Sequence, residues 1–200
     1  MAEVYNGTQF SVVYNRFLEK ITDDMYMELT PEDTIRDLQS LLVDAIPGFE
    51  FPRINLQDYD IKTQVINEAD AKPGDFILAV LWSELPEDGD IKAPDVLDER
   101  SSFASTLSSE EINILALLMK QGWIQRQVSS VENIRMKYSG SDFKMTSQAN
   151  HLSKLLALLS EAQRESFHMQ RLYKRRKLNP DGTYSSNWSS LREKNAIEHS

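Results

Sequence analysis

Apolar residues recur every three to four positions along most of this chain, and the runs that keep this period predict four helices. Phe10, Val13, Tyr14, Phe17, Ile21 and Met25, with Arg16, Glu19, Lys20 and Asp23 on the other faces, predict a first helix over 8–29. In "TPEDTIRDLQSLLVDAI" the stripe is Ile35, Leu38, Leu41, Leu42, Ala45 and Ile46. Thr30 supplies an N-cap oxygen, Pro31 has no amide to leave unpaired at the first helical position, and Glu32 and Asp33 suit the positive end of the helix dipole. Pro47-Gly48 ends that helix. "LSSEEINILALLMKQGW" opens the third. Ser108 and Glu111 form a capping box, and Leu107 and Ile112 stand where a hydrophobic staple would close. Ile114, Leu115, Leu118, Trp123, Ile124, Val128, Val131 and Ile134 carry it to about 136. Gly122 inside it costs roughly 1 kcal/mol relative to Ala, which predicts close packing or a bend there. The fourth helix, capped by Thr146 or Ser147, repeats Leu152, Leu155, Leu156, Leu159, Ala162, Phe167 and Tyr173 up to 176, a rod of roughly 45 Å.

The middle of the chain changes period. "FPRINLQDYDIKTQVI" and "DFILAVLW" predict strands, separated by the turn-rich "NEADAKPG", and two strands of this kind can form a hairpin lying on helices. "SELPEDGDIKAPDVLDERSS", residues 83–102, is acidic and carries two prolines and a glycine. It predicts a long exposed loop. Near the end, "NPDG" at 179–182 marks a turn, and the polar tail beyond it keeps only Tyr184, Trp188 and Leu191 as spaced apolar anchors. The fold class expected is therefore mostly α: a helical bundle with long antiparallel helices and a small inserted β-hairpin or strand region. Its organisation is a helical domain over 1–178 with an inserted β/loop region at 51–102, and an extended C-terminal arm over 179–200.

Charge adds an asymmetry that the apolar pattern does not contain. The net charge is −9 over 200 residues. Residues 1–111 hold 24 acidic and 8 basic side chains, net −16, and residues 112–200 hold 7 and 14, net +7. Two electrostatically different ends suit a molecule that meets unlike surfaces. There is no cysteine, which excludes disulfides and Cys-based zinc or redox chemistry and fits a reducing compartment. "MAEVYNGTQF" has neither a basic n-region nor an apolar h-region, so no signal peptide is expected. The longest apolar run, "FILAVLW", is of strand length and predicts no membrane span.

Catalytic motifs are sparse. His151, His168 and His199 have no i, i+4 histidine partner, and two of them fall on the predicted fourth helix. "DYD" at 58–60 and "DGD" at 88–90 lack EF-hand spacing. No phosphate-binding glycine loop is present, and no cofactor is expected. Asp75, Asp90 and Lys92 flank the apolar strand in a way a metal-dependent nuclease would, but "DIK" follows Pro86 and Gly89 on a predicted loop, where rigid metal placement is poor.

The cations Arg171, Lys174, Arg175, Arg176 and Lys177 are the strongest candidate for function. A helix C-terminus favours two or three of them. Five in seven positions cover several faces and exceed what intrachain carboxylates can satisfy. They point to a contact with nucleic-acid backbone or with an acidic protein surface. The net charge of −9 weighs against a free-standing nucleic-acid binder.

The C-terminal half carries a further pattern: a capped helix entering "GW…Q", a short "YSGSDF", then "SQANHLSKLL" opening a long helix, followed by "GTYSSNWSSLRE". This pattern resembles the head-to-tail connector, or adaptor, proteins of tailed-bacteriophage necks, most closely the ring proteins of crAss-like short-tailed phages. The resemblance implies a non-enzymatic virion protein made in the host cytoplasm. It would assemble as a ring, commonly dodecameric, and bind the portal protein and adjacent neck or tail rings while genomic DNA passes through the lumen. It implies docking by Arg171, Lys174, Arg175, Arg176 and Lys177 together with Tyr184, Trp188 and Leu191. Region 51–102 exceeds what a small helical adaptor needs. Two other classes stay open on the residues alone: a metal-dependent phage nuclease or packaging-associated factor using Asp75, Asp90 and Lys92, and a scaffolding or regulatory protein absent from mature particles.

Overall fold

In the computed structural model, residues 7–21, 29–67, 77–81, 95–137, 145–178 and 184–186 are described. The fold is mostly α, with a small strand region. Among the described residues there are four helices, α1 (Phe10–Leu18), α2 (Pro31–Ala45), α3 (Ser109–Lys137) and α4 (Met145–Arg175), and seven short strands. These are β1 (Tyr59–Asp60), β2 (Thr63–Asn67), β3 (Ile77–Leu81), β4 (Asp95–Glu99), β5 (Ser102–Phe103), β6 (Arg176–Leu178) and β7 (Tyr184–Ser186).

The starts of α2 and α3 are where local chemistry puts them, whereas α4 begins at Met145, so Thr146 and Ser147, expected as its cap, lie inside the helix. Thr30 Oγ1 accepts the Asp33 amide at 3.2 Å. At α3 the Ser108 amide donates to Glu111 Oε2 at 2.7 Å while the Glu111 amide donates back to Ser108 Oγ at 3.3 Å, the reciprocal pair of a capping box. Leu107 is buried and Ile112 packs against the same core. A short 3-10 turn, Ile46–Gly48, ends α2 at the proline and glycine.

Around α3 the core closes on every side. Phe10, Val13, Tyr14 and Phe17 of α1, Leu38, Leu41 and Leu42 of α2, and Tyr173 of α4 all pack on it. Six consecutive residues, Ile114, Leu115, Ala116, Leu117, Leu118 and Met119, are buried. One apolar stripe cannot account for six neighbours in a row, so this turn and a half is enclosed by other elements. Helix α4 runs antiparallel to α3, as the Tyr173–Glu111 and Ser166–Gln121 contacts show: one number falls as the other rises. Gly122 faces Leu41, and a Cβ there would meet the leucine at an ordinary 3.6 Å. Gly7 is the position with no alternative, since a Cβ would sit 1.7 Å from the Phe103 carbonyl oxygen.

Three expectations need correction. Helix α1 stops at Leu18, where the Lys20 and Ile21 amides turn back to Phe17 and Leu18 at 2.8 and 3.4 Å in tight three-residue turns. Residues 22–28 of the predicted helix lie outside the described residues. The two predicted strands do not pair with each other: β2 and β3 both pair antiparallel with β4, in the order β2-β4-β3. The end of the predicted exposed loop is that central strand, and most of its last residues are interior, Arg100 excepted. Glu99, Ser101 and Ser102 are buried, and β5 pairs with β1 through Tyr59 opposite Phe103. "DVLDE" hides a strand because a central ladder needs paired backbone groups, not apolar side chains.

Candidate docking site at the end of the longest helix

The C-terminal end of α4 is held by the segment that follows α2. After α2, the chain from Gly48 to Arg53 wraps the last two turns. Gln170 Nε2 donates to the Gly48 carbonyl at 3.3 Å, and Gln170 Oε1 accepts the Glu50 amide at 2.8 Å. Phe49 meets the Tyr173 ring edge-on at 5.4 Å. Arg53 stacks its guanidinium over the same ring at 4.1 Å and donates to the carbonyls of Tyr173, at 2.7 Å, and of Arg176. The Tyr173 carbonyl lies in the last turn of α4, beyond reach of a helical partner, and the Arg176 carbonyl follows the helix directly, so a distant arginine acts as the cap.

Glu111 serves both helices. One oxygen closes the capping box of α3, and the other accepts the Tyr173 hydroxyl. Both side chains are buried. Burial pushes the Tyr173 phenol above its ordinary value, and the hydrogen bond to the Glu111 carboxylate pushes it further.

Against this frame the predicted cations divide. Arg176 pairs with Glu110 at 2.9 Å. Lys174 places Nζ 3.8 Å over the Phe51 ring. Arg171 and Arg175 are exposed and form no ion pair with a described residue. Lys177 lies in β6 opposite Ser185, and Tyr184 in β7 opposite Leu178. The beginning of the predicted arm thus folds back on the end of α4 as a two-stranded hairpin. Trp188 and Leu191 lie outside the described residues. The structure therefore brings Arg171, Lys174, Arg175 and Arg176 to one helix end and adds Phe49, Phe51, Arg53, Glu110 and Glu111, which sequence reasoning did not assign. Only Glu111 carried a signal, through its capping box; residues 51–53 were expected to open a strand, but the first strand begins at Tyr59.

A second polar cluster sits where the sheet meets α2. Glu99 accepts Gln39 Nε2 at 2.7 Å, the Thr63 hydroxyl at 2.6 Å and the Ser101 amide at 3.0 Å. The Lys62 amide donates to Ser101 Oγ at 2.9 Å. The buried Tyr14 hydroxyl has no hydrogen-bond partner among the described residues; burial raises its pKa, and the Glu99 charge adds to the rise. With its donors supplied from three elements, this carboxylate reads as a joint between sheet and helix.

His151 and His168 are exposed on α4. Asp60 pairs with Lys62. Asp75, Asp90, Lys92 and "DGD" lie outside the described residues. Among the described residues no group of three or more acids and histidines is placed to hold a metal ion, and no helix is long and apolar enough to cross a membrane. No family model matches the chain, and neither a curated protein nor a solved structure shows significant similarity to it.

Proposed function

We propose that this chain is a structural connector of a tailed-phage neck, a non-enzymatic virion protein. In that reading it forms a ring that joins the portal to the tail and lines the DNA channel. The observation that carries the reading is a surplus. After Glu110, Phe51, Arg53 and Glu111 have fixed the end of α4, Arg171 and Arg175 still project from it as exposed cations. A rod locked into the body at its cationic end, with charge the fold itself does not use, suits contact with another subunit. The pattern shared with neck adaptors in the C-terminal half names the kind of assembly. In this reading, rings of about twelve copies follow from the resemblance, with helices α3 and α4 as scaffold and the cationic end, with Tyr184, Trp188 and Leu191, docking on the portal or an adjacent ring.

Electron microscopy of the protein bound to its portal is the direct test. The expected map shows a closed ring with Arg171 and Arg175 against a neighbouring subunit. A map with that end facing solvent sinks the proposal. Mass spectrometry of purified virions separates it from a scaffolding role, which predicts no copies in mature particles. Metal-dependent DNA cleavage abolished by Asp90→Ala would instead establish the nuclease.

A further inference from the structure

Helix α4 carries more exposed apolar surface than a solvated face requires. Leu156 is 46 % and Phe167 55 % exposed. They are eleven residues apart, which at 100° per residue brings them within about 20° of each other and about 16 Å apart along the axis. They flank the ridge of Leu152, Leu155, Leu159 and Ala162 that packs on α3. On the same side, by the same geometry, stand Arg164, Arg171, Lys174 and Arg175, all exposed, and no acidic residue. The acids of this stretch, Glu161 and Glu165, project about 120–180° around the helix from Leu156 and Phe167. There Glu165 acts on Lys20 of α1: burial lowers the Lys20 pKa and Glu165 opposes that shift. At the end of the strip, the Phe51 ring under Lys174 extends the apolar surface.

We infer that this strip of α4 is a docking groove for an acidic amphipathic helix of a partner protein. The occupant lays apolar side chains over Leu156 and Phe167, and its flanking carboxylates meet Arg164, Arg171, Lys174 and Arg175. The straight eleven-residue spacing fits a helix lying alongside, since three turns of the partner span the same distance. A second copy of α4 does not fit. Antiparallel pairing about the midpoint between Leu156 and Phe167 sets the two Arg164 side chains about 8 Å apart along the axis, and parallel pairing sets every cation beside its own copy. Nucleic acid would meet the four cations but leave two large apolar groups facing phosphate. Charge and apolar spacing together select an acidic helix. The inference deepens the docking role proposed above for Arg171, Lys174 and Arg175, and rests on it only for the choice of site.

The test uses the full chain and a labelled peptide of about 22 residues, long enough to cover the strip. It is an amphipathic helix with leucines at i, i+4, i+7 and i+11 flanked by glutamates, and binding is read by fluorescence anisotropy. Binding is expected that weakens as salt rises, and Phe167→Glu and Arg171→Glu should each weaken it about tenfold or more. Lys154→Glu, on the opposite face of α4 about 140–160° around the helix from Phe167 and Leu156, should leave it unchanged. Circular dichroism melts confirm that each variant folds. The inference is overturned if the acidic peptide does not bind, if a lysine-flanked version binds as well, or if a DNA duplex displaces it. Self-association of the chain through Phe167 in sedimentation would also overturn it. Because no virion is needed, failure here is distinct from failure of the connector reading, which the particle copy number decides.

Discussion

The two ends of the α3–α4 pair are built from similar residues and do different work. At the body end, α3 is enclosed by α1, α2 and the last turn of α4, and six consecutive residues from Ile114 to Met119 are buried. The end of α4 is pinned there by Glu111, Arg53 and Gln170. Toward the other end, past Trp123 and the Gln121–Ser166 contact, the core thins to Ile124 and Val128 against Leu152, Leu155, Leu159 and Ala162. Leu156 and Leu158 remain about half exposed beside that seam. The difference teaches that an apolar stripe specifies a helix but not how many neighbours will cover it. One end has four elements to share the burial and becomes an anchor. Among the described residues, the other takes its apolar contacts from the facing helix alone and keeps surface to offer.

Truncation at the two ends should break the comparison or confirm it. Leu115→Ala, fully buried at the anchor, is expected to lose about 3–4 kcal/mol in chemical denaturation, since neighbours on all sides cannot collapse into the cavity. Leu155→Ala in the thin seam should lose about 2 kcal/mol, because solvent and a single facing helix relax more easily. Equal losses, or the reverse order, would show that both ends are equally consolidated.

Smaller effects sharpen the picture of the anchor. Tyr173→Phe leaves Glu111 Oε1 without its donor and should cost about 1–2 kcal/mol, read as a shift in the denaturation midpoint. The same residue predicts an alkaline dependence. The folded state holds the Tyr173 and Tyr14 protons above the ordinary phenol range, so their contribution is complete below about pH 10, where the unfolded chain starts to release them. Stability should fall as pH rises from there, and Tyr173→Phe should make the fall shallower in melts taken across that range. A wild-type curve flat through alkaline pH would contradict the buried arrangement.

The smallest expected change comes from a pair that looks strong on distance alone. Arg126 reaches Asp37 at 2.7 Å and Asp44 at 2.9 Å across α2 and α3, yet both contacts are solvent-exposed. Arg126→Ala should cost no more than about 0.5–1 kcal/mol, and less at high salt. A larger loss would make the α2–α3 contact electrostatic where burial is expected to dominate.

How much could be read in advance varies with how local the cause is. Ser108 with Glu111 and Thr30 with Asp33 mark helix starts, because a cap is satisfied within one turn. The period of Leu152, Leu155, Leu159 and Ala162 marks the long α4 and its buried side. The end of α1 was not legible, since Ile21 continues the apolar spacing while its amide closes a tighter turn on Leu18. Strand β4 was not legible either, because "DVLDE" looks like a solvated loop until β2 and β3 flank it. At the docking site the cations were visible in the sequence, but which of them the fold consumes was not.

Sequence alone determined the mostly helical class, the starts of α2 and α3, the long antiparallel pair and the charge segregated to the C-terminal half. Each depends on neighbours within a turn or two, or on composition. Tertiary structure decided that Glu99 becomes a buried joint, that Arg53 caps a helix some 120 residues away, and that Arg176 is paired while Arg171 and Arg175 stay exposed, with no ion pair among the described residues. Those outcomes turn on which distant backbone and carboxylate groups meet, and the desolvation of a buried polar group has no counterpart in the order of the residues beside it.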